Sequence, residues 1–320
     1  MRERVLAPRT TVRCQTVRHM PKVERHPDRV VLSNGEVELI APLGYGPRVM
    51  RYARIGGPNA FGELSPAKQR MATPFGDDWH IHGGHRLWYA PEGDPRSYYP
   101  DNSPVRLDVD GTRITLSQAV EPHSHLEKAI TLELADDGSR VVVTHALTNH
   151  GMFAVELAPW ALSVMSASGR AIFPVPPFVP HPTALAPARP LVVWPFTRMN
   201  DPRFGWGDRL LFLRHDPAAP APQKIGMYDP EGWMAYHQGD QLFVTRHDPR
   251  PGPHADFGCN VETFTNDEIL ELETLGPLVS LAPGQTVKHE ERWYLFAGVE
   301  LGEDEVSVAQ VLAPLIASTR

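Results

Sequence analysis

Cysteine is almost absent: the 320 residues hold two, Cys14 and Cys259. Two isolated cysteines supply neither a disulfide framework nor a thiolate metal site. Both are expected as free thiols in a reducing compartment, which points to the cytoplasm. Long apolar runs are missing as well. None approaches the roughly 18 residues that a membrane span needs, so no membrane partner is expected. The N-terminal stretch MRERVLAPRTTVRCQTVRHMPKVERHPDR has no apolar segment of the secretory kind, and residues 1–24 read as a flexible arm. Basic residues are not in excess: 31 Lys and Arg against 38 Asp and Glu give a net charge of -7. That argues against a surface driven by nucleic-acid phosphates and suits a small neutral molecule. The chain also lacks G-x-S-x-G, a P-loop, a dinucleotide glycine fingerprint and H-E-x-x-H, which removes common nucleotide, hydrolase and metalloprotease classes as far as motifs can.

Proline is abundant, with 33 residues. Each removes a backbone donor and breaks a helix interior, so an all-helical fold is excluded. The prolines cluster within residues 173–223, in FPVPPFVPHPTALAPARP and HDPAAPAPQ, read as long surface loops that form an insertion or an active-face loop. Elsewhere short alternating runs are punctuated by turn signals. Asn34-Gly35, Asp110-Gly111 and Asp137-Gly138 each sit between two such runs and predict hairpins. Many short strands without βαβ alternation indicate an all-β protein, a large antiparallel sandwich. Residues 25–300 read as a single domain of this kind. A helical tail follows at 301–320, where Val308, Val311, Leu312 and Leu315 fall at helical spacing and Pro314 shortens or kinks the helix.

Four stretches carry groups able to do chemistry. DDWHIHGGHRLWYAPE contains His80, His82 and His85 followed by Arg86, Trp88 and Tyr89. On a strand, residues two apart share a face, so His80 and His82 point the same way. Three readings stay open here: a metal site, a histidine-rich sheet edge, and a ligand site. In the last, Trp88 and Tyr89 offer flat apolar faces while Arg86 and His82 donate to hydroxyls. The metal reading has no carboxylate or thiolate at a recognisable spacing. EILELETLGPL puts Ile269, Glu271, Glu273 and Leu275 on one strand face and Leu270, Leu272 and Thr274 on the other. Partial burial and mutual repulsion would raise a carboxylate on that face toward the range of a general base, whereas a solvated face would not. VVVTHALTNHGMFAVELAPW offers His150 as a loop acid and Trp160 as a stacking surface or core residue. PHADFGCNVETFTND places Asp256, Asn260 and Glu262 around a strand, as turn and surface groups or as site residues.

The order of these signals carries a resemblance. GPRVMRYARIGGPNAFGE, HGGHRLWYAPE, LTNHG, APWALSVM, WGDRLLFL, KIGMYDPEGWMAY, NVETFT and LELETLGPLVSLAPGQTVKHEERWYL follow one another over residues 25–300. The chain resembles the galactose-mutarotase-like, or aldose 1-epimerase-like, superfamily, and within it a bacterial branch of undefined function. The resemblance implies a β-supersandwich and a sugar, or sugar derivative, as partner. It implies cofactor-free interconversion of anomers, with no metal. Glu273 matches the general base and His150, in Thr148-Asn149-His150, the general acid. His82 matches a sugar-binding histidine, with Arg86, Trp88, Trp160, Glu262 and Glu271 as further binding residues. The pattern departs from the epimerases at Gly151-Met152-Phe153-Ala154 and at Leu275, which stands where they carry glutamine. A non-catalytic carbohydrate-binding protein on the same fold is the alternative. An exposed sandwich face is compatible with a homodimer.

Overall fold

The structure is a computed structural model that describes residues 20–64 and 70–320. Cys14 and most of the expected N-terminal arm lie outside the described residues. The first strand, Lys22–Arg25, starts just inside the arm expected at 1–24, because it pairs with Arg29–Ser33 across a tight turn.

Two large sheets face each other. One has ten strands and runs, edge to edge, from Phe204–Trp206 to Arg106–Asp110, with Val141–Asn149 and Thr286–Phe296 near its middle. The other has eight, with Leu270–Leu275, Val155–Val164 and His85–Ala90 adjacent in that order. All assigned pairings within them are antiparallel, so the expected all-β sandwich is the fold. Alternation along each strand explains the layering. In Val141–Asn149 every second residue, from Val141 to Asn149, is fully buried and the others are half-buried. The inward residues of both sheets make one core that includes Leu87, Leu147, Leu272, Phe243 and Trp293.

The three predicted hairpins form at the dipeptides named above. Gly35 and Gly138 adopt φ of 87° and 70°, the left-handed region such turns require. Asn34 does more than turn the chain. Its Oδ1 accepts from the backbone N–H groups of Glu36 and Val37, and its Nδ2 donates to the carbonyls of Ala135 and Gly138. One buried side chain thus ties two hairpins together. Asn34→Ala leaves four backbone groups to find other partners and is expected to cost about 2–3 kcal/mol; the shift of the urea midpoint at constant m-value measures it.

The C-terminal helix, Glu305–Ala317, is capped by Asp304, whose side chain accepts from Ser307 N–H. It lays Val308, Leu312 and Ile316 on the outer face of the ten-stranded sheet, against Ile172, Trp233 and Val244. The buried stripe therefore runs through Ile316 rather than Leu315, and Pro314 sits within the helix on its exposed side.

Candidate functional site

The outer face of the eight-stranded sheet, turned away from the core, is concave and holds a cleft of about 350 Å³. That volume falls in the range of small-molecule sites. A larger hollow of about 580 Å³ lies beside Tyr45 and Met50. Its charged groups, Asp28 and Arg29, are exposed and pair with each other, so it offers a ligand no buried charge.

The two-residue period builds the cleft. His85–Ala90 sends Arg86 and Trp88 into it and keeps His85, Leu87 and Tyr89 inside the sandwich. Val155–Val164 contributes Trp160 and Leu162, and Leu270–Leu275 contributes Glu271 and Glu273. Antiparallel partners share a face, so Arg86, Leu162, Glu273 and Glu262 form one row across four strands. Gly226 closes that row. A side chain there would meet Cys259 Sγ at 2.7 Å and Glu262 Cγ at 3.0 Å, so its absence makes room for the glutamate. Around the floor stand Trp79, Tyr98, Trp194, Phe196 and Phe264.

Glu262 and Glu273 sit directly opposite each other, both fully buried. Two like charges there repel, and Lys224 resolves the conflict. Its Nζ lies 2.8 Å from Glu262 Oε2 and 3.0 Å from Glu273 Oε2. The ammonium also lies 4.7 Å from the ring centres of both Trp160 and Trp194. Burial works against the Lys224 charge, but the two carboxylates outweigh it and hold the ammonium protonated. Glu273 takes a further hydrogen bond, from Trp160 Nε1 at 2.9 Å. Burial nevertheless pushes its carboxyl up to about 7, against the pull of Lys224. Burial also raises Glu262 well above the usual carboxylate range. Glu273 Oε1 is left with no hydrogen-bond partner. Arg86 is pinned beside this group: it donates to Glu271 Oε1 at 2.8 Å, and its guanidinium lies 4.6 Å from the Trp88 ring centre.

Of the residues singled out in the sequence, the cleft gathers Glu273, Glu271, Arg86, Trp88 and Trp160, with Glu262 beneath Lys224. His150, His82 and Tyr89 are elsewhere. His150 follows a strand of the opposite sheet, is exposed, and pairs with Glu127 at 2.9 Å. The structure does not bring it to Glu273. His82 adopts φ 52°, which breaks the strand alternation, and it stacks on Tyr45 at 4.0 Å instead of lining the cleft. Arg48 holds that backbone by donating to the carbonyls of His80, Ile81 and Gly83. Burial and the Arg48 charge lower His82 to about 4. Tyr89 is a core residue, since it neighbours Trp88 in sequence and so faces the other way. The sequence reading missed Lys224, Trp194 and Phe196. The last two lie in the proline-rich stretch, just after the short strand Leu191–Val193, and wall the cleft.

No protein-family model matches the chain, and a search of curated proteins finds no match. Solved structures do match. A galactose mutarotase-like protein from Lactobacillus casei superposes with a TM-score of 0.54 at 11% identity, over 84% of this chain and 100% of that one. A galactose mutarotase related enzyme from Lactobacillus acidophilus gives 0.50 at 8% identity, over 85% and 98%. A TPR-domain containing protein from Parabacteroides distasonis gives 0.56 at 13%, over 86% of this chain and 48% of that one. The chain has the galactose mutarotase-like fold.

Proposed function

We propose that the cleft binds a sugar and that Glu273 exchanges a proton with its anomeric hydroxyl, as an aldose 1-epimerase-like isomerase would require. One observation carries this reading: a fully buried carboxylate, raised toward neutrality, keeps one oxygen unpartnered at the floor of an aromatic-walled cleft. Sugar rings present flat C–H faces to indoles and hydroxyls to carboxylates, and this cleft offers both. Glu273 takes the C1 hydroxyl proton while the ring oxygen takes one from cleft water. The C1–ring-oxygen bond breaks, the aldehyde rotates, and reclosure reverses both transfers. No metal or cofactor enters this scheme. Among the lining residues Arg86 and Lys224 stand against Glu92, Glu271 and Glu273, which gives an anionic sugar no net attraction.

A specific observation favours the second reading, a cleft that binds sugar without turning it over: no histidine is among the described residues that line it. NMR exchange between the anomers of glucose, galactose and other aldoses separates the two. Acceleration supports the isomerase. Ligand-induced shifts without acceleration leave a sugar-binding protein. Neither effect with any aldose would end the proposal.

Two outcomes follow for the isomerase. The base works ionised, so kcat/KM should rise between pH 5 and 8 with a midpoint near 7. His150→Asn should leave the rate within about twofold, since the residue pairs with Glu127 away from the cleft; a pH–rate profile and a single kinetic comparison check both.

A further inference from the structure

A second polar cluster lies inside the sandwich, between the cleft-bearing sheet and the opposite one. His85 comes from the eight-stranded sheet; His145 and Glu291 come from the ten-stranded one. All three are buried, and one ligand atom from each lies within 4.8 Å of the others.

The hydrogen bonds fix how the imidazoles present themselves. His145 Nδ1 lies 3.1 Å from the His289 carbonyl, which only accepts, so Nδ1 carries the proton and Nε2 offers a lone pair. His85 Nδ1 is engaged by Ser163 Oγ at 2.8 Å, which turns its Nε2 to the same point. The two Nε2 atoms face each other at 2.6 Å. Outer partners on Nδ1 with Nε2 converging is how proteins orient metal-ligating histidines. Zn–N bonds of about 2.0–2.1 Å at tetrahedral angles set ligand nitrogens roughly 3.3 Å apart, so the rings need part by less than an ångström.

Charge and satisfaction decide between an ion and a closed hydrogen-bond network. In the network, His85 Nε2–H would donate to His145 and Ser163 would donate to His85. That satisfies both rings but leaves two groups unexplained. Glu291 accepts from Thr274 Oγ1 at 2.5 Å and Trp293 Nε1 at 2.7 Å, both neutral. Among the described residues no lysine or arginine pairs with it, and His85 Nε2 lies 4.0 Å from its Oε2. A buried carboxylate with no basic side chain beside it is satisfied either by a proton or by a cation. The second group is His247, directly opposite Glu291 in strand register, fully buried, with neither ring nitrogen partnered. A buried imidazole with no partner calls for a missing ion or water.

We infer that His85, His145 and Glu291 bind a divalent transition metal between the sheets, zinc by its nitrogen and carboxylate donors. Such an ion would pin one sheet to the other immediately behind the cleft: His85 adjoins Arg86, and Thr274, bonded to Glu291, adjoins Glu273.

The test uses the whole chain without a polyhistidine tag, stripped with chelator and reloaded with Zn²⁺ or Co²⁺. The expected result is one ion per chain after desalting, a raised Tm, visible absorption typical of tetrahedral Co²⁺, and an anomalous diffraction peak at the zinc edge between His85 and His145. Glu291→Gln and His145→Gln should each weaken binding at least 100-fold, while His80→Ala and His82→Ala should retain the ion. If either core variant fails to fold, the wild-type stoichiometry and the anomalous peak still decide. Folded wild type that retains no Zn²⁺, Co²⁺, Fe²⁺ or Mn²⁺ and shows no change in Tm would overturn the inference. So would an ion located on the surface histidines.

Discussion

Glu273→Gln should abolish anomer exchange, by at least 100-fold, and should not destabilise the protein. The loss follows from removing a general base, whose contribution is typically 10²–10⁴-fold. The stability result is the more discriminating half. Glu273 is fully buried opposite Glu262, and its folded pKa is about 7 against an ordinary 4.5. A group raised in this way contributes stability that is present below pH 4.5 and lost as pH rises through 7. At pH 8 its charge costs the wild type on the order of 3 kcal/mol. Glutamine accepts from Trp160 as the carboxylate does and removes one of the two repelling charges. A Tm at pH 8 that is unchanged or higher, together with lost exchange, identifies Glu273 as a residue kept for function at the expense of stability. An inactive variant that also melts much lower would point to a structural role instead. Calorimetry and NMR exchange on one preparation give both numbers.

Lys224→Met should have the opposite profile, a large and pH-dependent loss of stability. The ammonium is buried and is the shared partner of Glu262 and Glu273. Methionine fills a similar volume between Trp160 and Trp194 but leaves two carboxylates facing each other. Breaking a buried ion pair from one side costs about 3–5 kcal/mol. Without the ammonium both carboxyls rise further, so the penalty is largest at pH 8 and shrinks at pH 5, where they hold their protons. Urea unfolding of wild type and variant at both pH values measures this difference of differences. Equal penalties at the two pH values would mean that packing against the tryptophans, not charge, is what Lys224 provides.

The features legible in the sequence were those set by neighbours a few residues away. The glycine turns fixed three hairpins, and period-two alternation put Glu271 and Glu273 on one face before any partner strand was known. The features that escaped depend on pairing across long separations. Lys224 is one lysine in a proline-rich stretch until strand register sets it beside Phe264, one row from Glu262. Trp194 and Phe196 lie in the proline-rich stretch, whose residue spacing shows no periodicity. His82 and His150 failed for a local reason. The first sits at positive φ, where alternation no longer predicts direction, and the second lies just past a strand end, where its partner Glu127 claims it. His85 was grouped with His80 and His82 by spacing, yet it faces inward, because one residue along a strand changes the compartment.

On the strands under the cleft, odd and even positions answer to different constraints. Positions 86, 88, 160, 162 and 271 can be randomised together as a specificity library while Glu273 and positions 85, 87, 161, 163, 272 and 274 are held fixed. A one-residue deletion within residues 85–90 would do the reverse. It would carry an imidazole into the cleft and a guanidinium into the interior at one stroke. Ligand preference in this scaffold should therefore be easy to alter by substitution and intolerant of insertions or deletions.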